Sequence, residues 1–267
     1  MEEFFFIGLC LVLGLISGFI GGLLGIGGGV IIVPALVLLY DLDGALPTAN
    51  TLLTAVATSL ACIIFTSASA AYAQYQSGRV IWALFRQLIP FLLLGSFAAG
   101  FIGAGLSSEF FRGFIGVFLS LVALVMLSNW QPHPQRRLPG AAGTAGIGFA
   151  GGITAGLAGI AGGNVIVPTL IYFNTPAHNA TATSSALGVP IAMVGTLGYL
   201  SAAFSSGAEH PWGYIDLRAA MPIIIGALIA APRGVRTAHR VPGAKLKRLF
   251  GALLLVVAAR MLYSVLN

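Results

Sequence analysis

A ten-residue pattern that opens with a glycine cluster and ends in proline occurs twice in this chain. The first copy runs from Gly25 to Pro34 and the second from Gly159 to Pro168, 134 residues later in a chain of 267. Both copies interrupt apolar segments, where glycine weakens a helix and allows backbone angles that other residues avoid. Two helix breaks at matching positions predict an internal repeat, with a binding site where its two halves meet.

The segments around these breaks are long and carry few charges. The chain is 58% hydrophobic and 7% charged, whereas a soluble domain carries roughly 25% charged residues. Many of the apolar stretches approach or exceed the about 20 residues that a helix needs to cross a bilayer. They are continuous and do not alternate, which argues against a membrane β-barrel. The pattern therefore predicts an all-α polytopic membrane protein.

The apolar runs form two similar sets of five. They fall at about 4–24, 30–40, 50–75, 82–105 and 109–128, and again at about 141–158, 164–173, 178–206, 214–232 and 245–265. The second run of each set is too short to cross the membrane as a helix. We therefore expect each half to contain a broken, re-entrant helix hairpin followed by three transmembrane helices. A second arm that crosses completely, but tilted or partly unwound, is the alternative.

A polar segment that contains prolines and arginines separates the two sets. Such a composition is typical of a boundary between structural units. We predict a first repeat over residues 1–128, a cytoplasmic linker over 129–140 and a second repeat over 141–267.

The basic residues collect in loops that would lie on one side of the membrane. Three full crossings per half would invert the second repeat relative to the first. With both termini outside, ten of the 13 Lys and Arg residues fall in inside loops, and all seven acidic residues fall outside. Lys and Arg favour the cytoplasmic side during insertion, so this pattern favours two inverted repeats. It also accounts for the net charge of +6 without a nucleic-acid partner.

The glycine breaks predict an anion site near the middle of the membrane. The N-terminus of a helix presents unpaired N–H groups and a partial positive charge, and glycine lets an oxyanion approach the backbone closely. The glycines upstream, such as Gly14, Gly18 and Gly22, are spaced for close helix packing instead. The predicted backbone donors are Gly27, Gly28, Gly29, Gly162 and Gly163.

Polar side chains next to the breaks could complete this site. Asn164 stands where the first half has Val30, and an amide at a helix start can donate to an oxyanion or cap the helix. Hydroxyl groups can replace water around an anion, although in apolar helices they also bond to their own backbone or join neighbouring helices. The paired hydroxyl residues of the next helix in each half are Thr58, Ser59, Thr183 and Ser184.

Several kinds of site are missing from the sequence. It contains no Walker-type loop, metal cluster or nucleophile–base set, so we predict neither an enzyme nor a cofactor. No Asp or Glu lies well inside an apolar run, so a carboxylate proton relay is not evident. Arg260 lies in the last helix close to Asn267, and we expect its side chain to extend to the outer surface.

The duplicated Gly-x-Gly-Gly-Gly…Val-Pro pattern, the Ala-x-Ala-Thr-Ser element after it and the two similar halves resemble the sulfite exporter TauE/SafE family. The resemblance covers nearly the whole chain. It implies a permease that moves a small sulfur-containing oxyanion, such as sulfite, thiosulfate or an organosulfonate. The chain departs from the family where Asn50-Thr51-Leu52-Leu53 replaces a loop that often carries histidine, and where Pro190 interrupts the second hydroxyl helix.

We therefore predict a secondary transporter of the bacterial inner membrane that works by alternating access. Its partners would be the small anion, the lipid bilayer and a coupling ion, either a proton or sodium. A passive anion channel and a membrane scaffold or subunit of a larger system are the alternatives. The sequence leaves open which anion is moved, the direction of flux and the oligomeric state.

Overall fold

The computed structural model describes residues 3–24, 27–44, 48–76, 78–128, 139–207, 211–238 and 243–266. Gly25 and Ile26 of the first glycine copy and most of the predicted linker lie outside the described residues. The described part is built from α-helices and contains no strand, so the predicted all-α class is confirmed.

Ten helices lie in the described ranges, five from each half. The first half contains α1 (Glu3–Leu24), α2 (Gly29–Asp43), α3 (Thr48–Gln76), α4 (Trp82–Gly105) and α5 (Ser108–Leu127). The second half contains α6 (Ala141–Leu157), α7 (Gly163–Tyr172), α8 (Ala177–Ser205), α9 (Leu217–Ala238) and α10 (Gly243–Leu266).

Each apolar run predicted from the sequence corresponds to one helix. The largest difference is at α9, where the apolar run ends at residue 232 and the helix continues to Ala238. Basic residues follow Pro232, so the apolar pattern stops there while the helical backbone does not. The apolar pattern therefore predicted the position of each helix, but it did not predict the polar C-terminal extension of α9.

Six helices of the described part are long and apolar enough to cross a membrane: α1, α3, α4, α5, α8 and α9. The shorter apolar helices are α6, α7 and the segment Leu254–Tyr263 of α10. The chain is therefore a multi-pass helical membrane protein.

The helices of the two halves pack on each other in matching pairs. α1 packs on α9, and its counterpart α6 packs on α4. α3 packs on α8, and α5 packs on α10, so these two contacts join equivalent helices. The pattern is unchanged when the two halves are exchanged, as an internal repeat would produce. The residue boundaries of the repeats stay a prediction.

α3 and α8 run antiparallel where they cross. A Cβ atom placed on Gly188 of α8 would lie 3.3 Å from Ser67 Oγ of α3, and one placed on Gly195 would lie 3.2 Å from Leu60 Cδ1. A step forward along α8 is therefore a step back along α3. Inverted repeats require this relation between equivalent helices; the inverted topology across the membrane stays a prediction.

The glycines upstream of each break bring helix backbones into contact. A Cβ atom on Gly18 of α1 would lie 2.5 Å from the Cα atom of Ala227 in α9. Such an atom would force the two helices apart. Gly14 and Gly22 lie against the α9 backbone in the same way, and Gly152 lies against the backbone of α4. The prediction that these glycines serve helix packing is confirmed.

Candidate anion-binding site

Each glycine break ends in a residue with a left-handed backbone. Gly28 (φ 77°, ψ −15°) caps the start of α2, and Gly162 (φ 78°, ψ −10°) caps the start of α7. These angles strongly favour glycine. Because both cap residues are glycines, no cap side chain accepts a hydrogen bond from the N–H groups at either helix start. Because the first N–H groups of a helix have no acceptor within it, both helices begin with backbone donors that can bind a ligand.

The two breaks lie against each other. A Cβ atom on Gly27 would lie 2.6 Å from Ala161 Cβ, and one on Gly29 would lie 2.5 Å from the carbonyl oxygen of Gly159. We call the two segments, Gly27–Gly29 and Gly159–Gly163, the glycine junction. It is buried and contacts Ser67 and Gly188, near the middle of α3 and α8. The structure thus brings together the two breaks, one from each half.

Hydroxyl groups of α3 hold both segments of the glycine junction. Thr66 Oγ1 donates to the carbonyl oxygen of Gly27 at 2.9 Å. Ser59 Oγ donates to the carbonyl oxygen of Gly159 at 2.9 Å. Thr66 therefore binds the segment of its own half, whereas Ser59 reaches across to the other half. The carbonyl oxygens of Gly27 and Gly159 therefore each accept a hydrogen bond from a hydroxyl group of α3.

Three polar atoms near the glycine junction are buried without a hydrogen-bond partner among the described residues: Ser67 Oγ, Ser184 Oγ and Asn164 Nδ2. Ser67 Oγ would lie 2.8 Å from a Cβ atom on Gly27. Ser184 lies one helical turn before Gly188, which contacts Ala161 of the junction. Asn164 is the second residue of α7. A buried polar group without a partner costs about 1–3 kcal/mol, so three of them call for a ligand or an open state that satisfies them.

The predicted threonines lie elsewhere. The backbone N–H of Asp216 donates to Thr58 Oγ1, and that of Ile81 donates to Thr183 Oγ1, each at 3.0 Å. These two amides lie immediately before α9 and α4. Each threonine therefore accepts a hydrogen bond from the start of a helix in the opposite half. From the antiparallel crossing, they lie about 20 Å apart along the helix axes. The structure does not bring Thr58 and Thr183 to one place.

The sequence pattern missed Thr66 and Ser67. The predicted hydroxyl pairs occur in both halves, whereas the counterparts of these two residues are Ile191 and Ala192. Their position about two helical turns after Ser59, in the middle of a long apolar run, was the available signal.

The surroundings of the junction are uncharged. Apart from tyrosine and cysteine, every side chain with a polar group that is buried in the described part of the chain is a serine or a threonine. An anion at the junction would therefore meet neutral donors and the positive ends of two helices. Such a site can bind an anion without holding it by a full opposite charge.

Two helix breaks that meet inside a bundle of apolar helices are a feature of membrane transporters built from repeats. The chain belongs to the sulfite exporter TauE/SafE family, whose family model matches residues 10–261. It is similar to a "Probable membrane transporter protein" of Haemophilus influenzae, with 31% identity over 97% of this chain and 98% of that protein.

More distant relatives also match over almost their whole length. The "Probable membrane transporter protein YunE" of Bacillus subtilis is 25% identical over 96% of this chain and 97% of its own. A probable membrane transporter protein of Methanocaldococcus jannaschii is 26% identical over 95% of this chain and 94% of its own. No solved structure gives a significant match. The chain is therefore a membrane transporter.

Proposed function

We propose that the protein is a secondary permease for a small sulfur-containing oxyanion, such as sulfite, thiosulfate or an organosulfonate. The anion binds at the glycine junction. The N–H groups at the starts of α2 and α7 donate to its oxygens, and so do Ser67, Ser184 and the amide of Asn164. The bacterial inner membrane, with both chain termini outside, is the proposed location.

The observation that supports this proposal is the set of unpaired polar atoms around the junction. Ser67 Oγ and Ser184 Oγ belong to side chains that are 2% and 0% exposed, respectively, and neither has a partner among the described residues. Each hydroxyl can donate one hydrogen bond, and an oxyanion accepts several. The family assignment supports a sulfur oxyanion, since the family is described as a sulfite exporter.

The close packing of the junction implies how transport proceeds. The two segments touch, with Gly27 against Ala161, so an anion can enter only when the halves separate on one side. Rocking of one half against the other would open the junction to each side in turn. Ser59 would link the two motions because it holds the opposite half through Gly159.

Counterflow in proteoliposomes tests the proposal. Labelled sulfite, thiosulfate and a sulfonate are each exchanged against unlabelled anion, with and without a proton gradient and with and without sodium. We expect saturable exchange of at least one of the three. Asn164→Leu should raise its KM about tenfold, because an amide donor to a charged acceptor is lost. Thr169→Val is the matched control, since the Thr169 hydroxyl already donates to Val165 within α7 at 2.6 Å.

Two results would contradict the proposal. Flux that rises linearly with concentration would indicate a passive channel in place of a carrier. Exchange of none of the three anions by folded protein would remove the sulfur oxyanion as substrate.

A further inference from the structure

A cavity lined by charged residues lies away from the glycine junction, between α2, α5 and α10. It has a volume of about 100 Å³, several times what one water molecule needs. Pro34, Val37 and Met261 form its apolar wall, and Asp41, Arg112 and Arg260 line it as well. The cavity therefore brings two basic residues and one acidic residue, from three helices, to one place.

Arg112 is incompletely paired in this cavity. Its Nη2 atom is buried and has no hydrogen-bond partner among the described residues. The nearest acid oxygen is Asp41 Oδ1, 3.9 Å away, which is too far for a hydrogen bond. A buried guanidinium donor costs free energy unless it is hydrogen-bonded, so this atom lacks an acceptor that a ligand could supply.

The charges of the cavity favour a negative ligand. Two guanidinium groups and one carboxylate leave an excess of one positive charge. Guanidinium binds oxyanions through paired N–H groups. Such a bond is stronger at the buried Nη2 atom of Arg112 than it would be in water. Arg260 is exposed, as expected from the sequence, and it also lines the same cavity as Arg112.

The cavity is separate from the glycine junction and has no equivalent in the other half. Asp41 is 12 residues beyond Gly29, where α2 begins, or about 18 Å along that helix. Under exchange of the halves, Asp41 corresponds to Thr175 of the second half, and Arg260 corresponds to Val125 of the first half. A site built from these residues would therefore exist at only one end of the bundle, the end that the charge pattern predicts to be outside.

We propose that this cavity is a second oxyanion site, in which Arg112 and Arg260 bind one anionic group. The group is either a free sulfur oxyanion on its way between water and the glycine junction, or the phosphate of a lipid headgroup. The first of these occupants rests on the proposed function; the second does not. Both present the same chemistry to the two arginines.

Binding measurements on the purified full-length protein distinguish the two sources. Labelled sulfite and inorganic phosphate are titrated in lipid-free detergent, and phosphatidylglycerol retained by the protein is measured by native mass spectrometry. The variants are Arg112→Gln, Arg260→Gln and the charge-preserving Arg112→Lys. Arg233→Gln is the control, because the Arg233 guanidinium is exposed and donates to Ile229 of its own helix at 2.6 Å.

We expect each glutamine variant to weaken binding of one ligand at least about tenfold, with Arg112→Lys in between and Arg233→Gln unchanged. A loss confined to sulfite and phosphate assigns the site to the free anion. A loss confined to phosphatidylglycerol assigns it to lipid. The proposal is wrong if the wild type binds none of the three, or if both Arg260→Gln and Arg112→Lys bind them all as the wild type does.

Failure of this site is separable from failure of the proposed function. Asn164→Leu changes the glycine junction and should leave phosphatidylglycerol binding unaffected. Sulfite counterflow that persists in Arg260→Gln, with unchanged KM and unchanged lipid binding, would overturn the second site while retaining the permease.

Discussion

The hydroxyl of Ser67 touches the glycine junction and has no partner among the described residues. If it donates to the anion, Ser67→Ala should weaken sulfite binding about three- to tenfold, which corresponds to a net hydrogen bond of about 1 kcal/mol. The melting temperature should not fall, because no bond within the protein is lost. Binding titration and thermal unfolding of the purified protein measure both quantities.

Ser120→Ala is the control for Ser67, because the Ser120 hydroxyl already donates to Gly116 of its own helix at 2.8 Å. It should leave sulfite affinity unchanged. Equal sulfite affinity in Ser67→Ala and the wild type would exclude Ser67 from the site.

In contrast to Ser67, we expect Thr58 and Thr183 to contribute to stability and not to sulfite affinity. Each accepts a backbone N–H bond from the residue before a helix, so Thr58→Val or Thr183→Val leaves that partly buried amide unpaired. We expect about 1–3 kcal/mol of destabilisation with sulfite affinity within about twofold. Unfolding in detergent measures the change, and Thr154→Val is the control, because the exposed Thr154 hydroxyl donates within its own helix. Lost affinity at unchanged stability would instead support anion binding by these threonines.

Among the helices, the contact between α1 and α9 depends on residues without side chains. Gly18→Ile would place a branched side chain where a Cβ atom is already 2.5 Å from Ala227 Cα. Backbone atoms cannot move aside as a flexible side chain can, so the helices must separate, and the folded yield should fall severely. Gly8→Ile in the same helix is the control, since nothing lies within 4 Å of its Cβ position. Gel filtration of both variants checks this, and equal monodisperse yields would contradict the packing role.

The helices could be predicted from the sequence because membrane insertion ties helix position to apolar run length. The hydrogen-bond partners of the hydroxyl groups could not be predicted from the sequence. Thr183 binds Ile81, which lies 102 positions away along the chain, and Ser59 binds Gly159, 100 positions away. Such pairs depend on how the two halves dock, which local patterns do not encode. The repeat pointed to Thr58 and Thr183, which occur in both halves, and not to Ser67, which has no hydroxyl counterpart in the second half.

For the whole molecule, the exchange symmetry of the helix pairs has a mechanistic consequence. α1 on α9 and α6 on α4 are equivalent contacts, and each joins the first helix of one half to a long helix of the other. In the proposed alternating-access mechanism, the two halves would adopt two equivalent arrangements in which α1 and α6 exchange roles. A site at the centre, where the hairpins meet, would then face opposite sides in the two arrangements.

This mechanism requires the repeats to be inverted in the membrane, which reporter fusions test. A phosphatase that is active only outside the cytoplasm should be active when joined after Asn267 and inactive when inserted after Pro134. The physical reason is the excess of Lys and Arg in the predicted inside loops, including Arg136 and Arg137 of the linker. A cytoplasmic fluorescent reporter at the same two positions serves as the control and should give the reverse pattern. Parallel repeats with an even number of crossings would place both positions on the same side, so equal activity at both would exclude inversion and, with it, the exchange of roles between α1 and α6.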